Sequence, residues 1–322
     1  INASRMIFDG GKLDAEIAAK SFEAEAAKFN LKATIDDRAF KLASIWLELE
    51  KYETLKKQID KRLSVLEPLI DNLEQVANAG IGDVSKVTAA QRTVSSIRVI
   101  QTSIYEGLAK AKVDFESAYG MVGENISYDS GFVEKLLPDK IDERLAEKSP
   151  LLLSRYSEYQ GALANLAAIK AADQFDVGFE VRALRPLSGN GYDSDESVGF
   201  IANKSLFNDR MLQASIIEAE EIAAAAKAGI EAAYRQGASA VKTALQSIES
   251  SEKAIDLARK NAEITEDEII YLRQQLIIGG STLDSVLSAE AQLYDVESKE
   301  IEFTTEKLKA QLLIASVLGL LG

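Results

Sequence analysis

The stretch LIIGGSTLDSVLSAEAQL, residues 276–293, decides the reading of this chain, because ANAGIGDVSKVTAAQRTV, residues 77–94, is its counterpart. Each is a glycine-bearing turn that runs into an apolar residue at every third or fourth position. With the chain shifted by 199 residues, Gly80, Val84, Val87 and Ala90 fall on Gly279, Leu283, Val286 and Ala289. At the same shift Ile7-Phe8-Asp9 falls on Leu206-Phe207-Asn208, Leu13 on Leu212 and Gly120 on Gly319. Landmarks spread that widely at one offset mark an internal repeat, which has to be recognised before local structure is assigned.

Working outward from the turns, each repeat reads alike. A short β-like stretch ends at Phe8 or Phe207, and a long helical segment follows, to about residue 78 or 277. The turn is Ala79-Gly80-Ile81-Gly82 in one copy and Ile278-Gly279-Gly280-Ser281 in the other, and a second helical segment returns to Gly120 or Gly319. After the first turn Val87, Ala90, Val94, Ile97, Gln101, Ile104, Leu108, Ala111, Phe115 and Ala118 alternate in steps of three and four, a coiled-coil seam. The second copy has Val286, Ala289, Leu293, Val296, Phe303, Ala310, Ile314 and Val317, with Glu300 and Lys307 as polar breaks. Before the first turn Leu42, Ile45, Leu49, Tyr52 and Ile59 keep the same spacing, with Trp46 beside them as a packing residue. Some 65 residues of helix span roughly 100 Å at 1.5 Å rise per residue, so two such hairpins predict a rod. Pro68 predicts a kink or break near Leu66.

Composition agrees with long helices and removes several chemistries. Only four prolines occur in 322 residues. Cysteine and histidine are both absent. That excludes disulfides, thiolate nucleophiles, Cys/His metal sites and histidine acid–base catalysis, and no motif of a nucleotide-binding or hydrolytic enzyme occurs. No catalytic residue, metal ligand or cofactor is predicted. The net charge of −14 excludes a nucleic-acid partner, which needs clustered Lys and Arg. No run of 18 apolar residues exists, so no transmembrane helix is predicted.

Residues 174–207 differ in texture. Phe175, Val177, Phe179, Val181 and Ala183 alternate with Asp176, Gly178, Glu180 and Arg182, the pattern of a half-buried strand. A polar loop around Pro186 leads to a second strand, predicted over Val198–Leu206, with Val198, Phe200 and Ala202 on one face. Strands of 9–11 residues with one apolar face fit a membrane barrel. The hairpin alone fits a soluble cap on a helical bundle equally well. Two strands cannot span lipid alone, since their edges would leave amides unpaired. By the repeat, residues 1–8 supply a third strand, and a fourth strand with a leading helix, on the order of 50 residues, is expected upstream of Ile1.

The organisation expected is a first repeat over 1–120, a connector over 121–149 and a second repeat over 150–322. Lys148-Ser149-Pro150 reads as a helix start, with Ser149 as cap and Pro150 as first helical residue.

These residues resemble the TolC family of outer-membrane efflux and secretion ducts. Tyr271–Gly319 is the most specific piece, and Ile278–Ala289 looks like the family's second tip turn. Asn78–Val84 looks like the first, and Ile7-Phe8-Asp9-Gly10-Gly11 resembles the strand-to-helix junction. The resemblance implies a mainly α fold: long antiparallel helical hairpins as coiled coil and α-barrel, a small transmembrane β-barrel contribution and two structural repeats. It implies a homotrimer in outer-membrane lipid of a Gram-negative bacterium, with a long periplasmic extension. Its tips, Ala79, Gly80, Ile81 and Gly82 with Ile278, Gly279, Gly280, Ser281 and Thr282, would dock a periplasmic adaptor protein. An inner-membrane ABC or RND-type transporter would supply energy, and the passive tunnel would open by an iris-like shift. Where the family type carries tunnel-mouth aspartates this chain has Ser285 and Ser288, with Asp284 adjacent. The rival readings are a periplasmic adaptor of the membrane-fusion class, which the duplication disfavours, and a structural coiled-coil protein, which the amphipathic strand pair disfavours.

Overall fold

The computed structural model describes residues 2–79, 84–123, 130–138, 140–184, 195–204 and 209–322. In chain order these form β1 (Asn2–Phe8), α1 (Lys12–Ala79), α2 (Val84–Tyr119), α3 (Ser130–Leu136), a 3-10 segment (Glu143–Lys148), α4 (Pro150–Ala171), β2 (Asp176–Leu184), β3 (Asp195–Asn203), α5 (Asp209–Ile277) and α6 (Leu283–Val317). The fold is mainly α. It divides into two compact units, residues 1–34 with 144–239, and residues 35–143 with 240–322.

The first unit holds the sheet, in the order β1-β2-β3 with both pairings antiparallel. The passage from β1 into α1 depends on Asp9 and Gly10. Asp9 Oδ1 accepts from Gly11 N at 3.0 Å and Oδ2 from Leu13 N at 2.8 Å, which satisfies amide groups that the helix start leaves open. Gly10 has φ +68°, and a Cβ there would lie 2.8 Å from Gln174 Cβ and 3.1 Å from the Ala171 carbonyl oxygen. Both the backbone angle and the approach of the end of α4 therefore demand glycine. Helix α4 starts as expected: Ser149 Oγ accepts from Leu152 N at 3.2 Å, and Pro150 is the first helical residue. It packs closely on α1, where Ser154 Oγ donates to the Ala26 carbonyl at 3.0 Å.

The second unit is built on the predicted seams. Ala90, Val94, Ile97 and Ile104 of α2 are buried with Leu55, Ile59 and Leu66 of α1 and with Leu287 and Tyr294 of α6. Further along, Leu49 packs with Leu108, Ala111 and Phe115. Trp46 is a packing residue, edge-on to Phe115 at 5.5 Å and to Tyr119 at 5.8 Å. Asp60 of α1 accepts from Gln101 and Tyr105 of α2 at 3.1 and 3.0 Å. Burial pushes its carboxyl up, but Lys56, Gln101 and Tyr105 outweigh that and hold it below the usual carboxylate range. The predicted breaks in α6 find partners on α5: Glu300 meets Arg259 at 2.7 Å and Lys307 meets Glu252 at 2.9 Å.

Two expectations need correction. Pro68 does not break the helix: it lies inside α1, which continues to Ala79. Its ring is on the exposed side while Leu66 and Ile70 are buried, so packing on both sides of it outweighs the lost hydrogen bond. The second strand begins at Asp195 rather than Val198 and ends at Asn203, because it pairs with β2 residue for residue from Leu184↔Asp195 to Asp176↔Asn203. Leu206-Phe207-Asn208 lies outside the described residues. Within the sheet β2 is partly buried from Asp176 to Glu180, as its alternation predicts, whereas every β3 side chain described is exposed, Phe200 to 73 %.

Gly107 gives a direct test of the α1–α2 packing. A Cβ there would lie 2.2 Å from Tyr52 Cε1 and 2.5 Å from Cζ. Alanine normally favours a helix by about 1 kcal/mol over glycine, yet Gly107→Ala is expected to destabilise by about 1–3 kcal/mol through overpacking. Denaturant unfolding of the variant beside the parent protein measures the sign.

Candidate docking turn and amphipathic sheet

In the turn between α5 and α6, Gly279 has φ +78°. Gly279 N donates to the Leu276 carbonyl at 3.3 Å and Gly280 N to the Gln275 carbonyl at 2.8 Å, a Schellman closure of the helix. Thr282 then opens α6: its Oγ1 accepts from Ser285 N at 3.2 Å and lies 2.8 Å from Ser285 Oγ. The turn thus satisfies the Gln275 and Leu276 carbonyls at the end of α5 and the Ser285 amide at the start of α6. Ile277 and Ile278 are left 86 % and 75 % exposed. Two adjacent exposed isoleucines on a rigid turn are an apolar tip.

The predicted tip residues do not all fall within reach of description. Ala79 closes α1, whereas Gly80, Ile81 and Gly82 lie outside the described residues. Of the tunnel-mouth candidates, Asp284 is partly buried and accepts from Thr93 Oγ1 of α2 at 3.1 Å. Ser285 is partly buried and tied to Thr282, and Ser288 is exposed. The one acidic candidate is therefore engaged against α2.

Sequence reasoning missed the main electrostatic feature beside this turn. Glu290 of α6 is 3 % exposed. Its Oε1 accepts from Arg273 Nη2 of α5 at 2.6 Å, and Arg62 Nη1 of α1 lies 3.5 Å from its Oε2. That second contact is Coulombic only, since Oε2 has no hydrogen bond. Arg62 also grips Glu297 with two bonds, 2.6 and 3.2 Å, so α1, α5 and α6 are joined through one charge cluster. A signal was present: Val286, Glu290, Leu293 and Glu297 keep steps of four and three, which places both carboxylates in the seam.

In the sheet, register sorts the side chains. Val177, Phe179 and Val181 lie opposite Ala202, Phe200 and Val198. Phe179 and Phe200 meet edge-on at 5.6 Å. Asp176, Gly178, Glu180 and Arg182 occupy the other face, as alternation requires. Arg5 is an exception, since it stands across from Phe179 on the apolar face. Beneath the sheet's end Lys204 lies 5.3 Å over the Phe175 ring. Among the described residues β1 and β3 each have one unpaired edge. No helix in these residues is long and apolar enough to cross a membrane.

This architecture of paired long helices and a small amphipathic sheet is the TolC-type fold of outer-membrane channels. Similar solved structures include the outer membrane protein VceC of Vibrio cholerae, with TM-score 0.79, 17 % identity, 99 % of this chain covered and 78 % of that one. The open-state MtrE outer membrane channel of Neisseria gonorrhoeae gives 0.79 at 18 % identity, covering 98 % and 74 %. CusC, described for transmembrane channel formation, gives 0.82 at 16 % identity, covering 98 % and 76 %. At such identities the likeness is one of fold. No family model matches the chain, and no curated protein matches it in sequence.

Three substitutions separate the turn's geometry from its charge cluster. Gly279→Val places a β-branched residue at positive φ and is expected to cost about 1–2 kcal/mol. Gly280→Ala meets only the movable Gln275 amide oxygen at 2.3 Å and is expected to be milder. Hydrogen exchange of amides 274–286 reads both. Glu290→Ala leaves two guanidinium groups without their shared carboxylate. The expected loss is about 2–3 kcal/mol, below the 3–5 of a fully buried pair because Arg273 is 41 % exposed; chemical denaturation gives the value.

Proposed function

We propose that this chain is the subunit of an outer-membrane exit duct of a tripartite efflux or type I secretion system in a Gram-negative bacterium. Three copies form a passive, non-enzymatic channel with a β-barrel in the membrane and a helical tunnel in the periplasm. The observation that carries this reading is the sheet: among the described residues its apolar face is uncovered and its outer edges lack partners, and it is attached to helices of the TolC-type fold. Lipid would cover that face, and further strands would satisfy those edges, which cannot stay open in hydrocarbon.

The two-repeat organisation, 1–120 and 150–322 joined by 121–149, belongs to the same proposal. In its support, α2 and α6 start at Val84 and Leu283, and Gly120 and Gly319 have φ of 70° and 71° after them. Each of those glycines closes its helix, Gly120 N donating to the Glu116 carbonyl at 2.8 Å and Gly319 N to the Ser316 carbonyl at 3.1 Å.

The tip Ile278–Thr282, exposed at Ile278, Gly279 and Gly280, and with it Ala79–Gly82, is read as the surface that docks a periplasmic adaptor protein. An inner-membrane transporter of ABC or RND type would drive export through the assembly. Asp284, Ser285 and Ser288 would lie at the tunnel mouth, where docking shifts the helical hairpins and opens the passage.

Reconstitution into planar lipid bilayers tests this reading. Discrete single-channel currents from a detergent-extracted three-chain particle are expected. A protein that stays monomeric and soluble without detergent, and passes no current, overturns it.

A further inference from the structure

The apolar face of the sheet carries cations toward one end. Register sets Ala3, Arg5 and Phe8 of β1 beside Val181, Phe179 and Val177 of β2, and those beside Val198, Phe200 and Ala202 of β3. Arg5 thus belongs to a face otherwise built of Ala, Val and Phe at these levels. Lys204 follows the last residue of β3 and lies over the Phe175 ring at 5.3 Å, so both extend the same face toward the helices. Arg5 and Lys204 are exposed, and neither forms an ion pair with a described residue.

The carboxylates at this end are occupied or directed elsewhere. Both oxygens of Asp9 accept from backbone amides, those of Gly11 and Leu13. Asp176 alternates onto the other face of the sheet. Asp173, Asp14 and Asp209 belong to the helix side, in the turn after α4 and at the starts of α1 and α5. Among the described residues Glu196 is the one carboxylate on the apolar face, and it stands opposite Ala183 at the far end. The face is therefore positive toward the helices and negative away from them.

Aromatic rings mark the same end. A bulge between Met6 and Phe8 brings Phe8 opposite Val177, whereas simple alternation would have sent it to the face of Met6. Phe8 and Phe175 are 51 and 56 % exposed. In membrane barrels such rings flank the apolar band, where hydrocarbon meets headgroups. Arg5 is opposite Phe179, two positions beyond the Val177 that faces Phe8, or about 7 Å along the sheet. An arginine spans that distance by laying its stem on apolar surface and putting its head in the polar layer. A cation on a lipid face is costly at the bilayer centre and nearly free of cost close to the interface.

We infer that Arg5 and Lys204, with Phe8 and Phe175, bind phospholipid phosphate in the leaflet on the helix side. Arg5 supplies a planar fork for phosphate oxygens, and Lys204 a compact charge held over the Phe175 ring. The rings line the place where acyl chains begin. The inference rests on the membrane reading above and deepens it, naming the headgroup chemistry and the end of the sheet that meets it.

The detergent-extracted protein is titrated with phosphatidylglycerol, with diacylglycerol of the same acyl chains and with inorganic phosphate, and retained lipid is counted by native mass spectrometry. Phosphatidylglycerol is expected to be retained about tenfold more than diacylglycerol, because each basic group at the headgroup level adds attraction for anionic lipid. Inorganic phosphate is expected not to displace it. Arg5→Gln with Lys204→Gln is expected to abolish the preference without changing the number of chains per particle, and Arg5→Lys with Lys204→Arg to keep most of it. A second arm leaves both cations in place. The chain has a single tryptophan, so Phe175→Trp in a Trp46→Phe background reports depth in phosphatidylglycerol vesicles. A nitroxide on the lipid headgroup is expected to quench that tryptophan more strongly than one at the acyl-chain end. Three results each overturn this site and leave the duct reading standing, provided the protein still conducts: a preference absent from the parent or unchanged in the glutamine variant, displacement by inorganic phosphate, or stronger quenching from the acyl-chain end. A parent protein that is monomeric and soluble without detergent overturns both.

Discussion

Burial of α6 on two flanks is the constraint on which the rest of the second unit depends. Leu287 and Tyr294 on one flank complete the cluster of α1 and α2. Ala289 and Leu293 on the other receive Ile269 of α5. Nearer its end Leu312 packs with Leu47 and Val133, and Ile314 with Ala244. Isolated helices of this composition are marginal, and most helical stability comes from packing an apolar face. With α6 in place, each neighbouring helix has one side settled.

The charge cluster lies inside that packing. Arg62, Arg273, Glu290 and Glu297 join three helices at one level, and a seam of leucine and valine alone would not specify that register. Apolar seams tolerate slips of a turn more readily than paired charges do, because a slipped carboxylate would be buried without its guanidinium.

Much of this was legible in the sequence. Gly279 and Gly319 announced two helix ends, since a non-helical positive φ there needs glycine, and both have it. The step-of-three-and-four runs from Val87 and from Val286 correctly gave the buried faces, because they report a single physical fact, the 3.6-residue turn. What stayed hidden depends on contacts distant in sequence. Pro68 is tolerated because Leu66 and Ile70 are held by other helices. Asp195 joins β3 because Leu184 is there to pair with it, against its own poor strand preference. Glu290 was hidden as one carboxylate among 51 acidic residues, although its seam spacing distinguished it.

The sheet shows the same limit from the other side. Its alternation was plain, but alternation cannot say what covers the apolar face, and within this chain nothing described does. The central claim is that lipid and further strands complete it. Electron cryomicroscopy of the protein in lipid nanodiscs tests this most directly. The account predicts a three-fold particle with Val181, Val198 and Phe200 facing acyl chains at the level of the bilayer. A sheet lying in water, or folded back as a cap over the helices of a single chain, would contradict it.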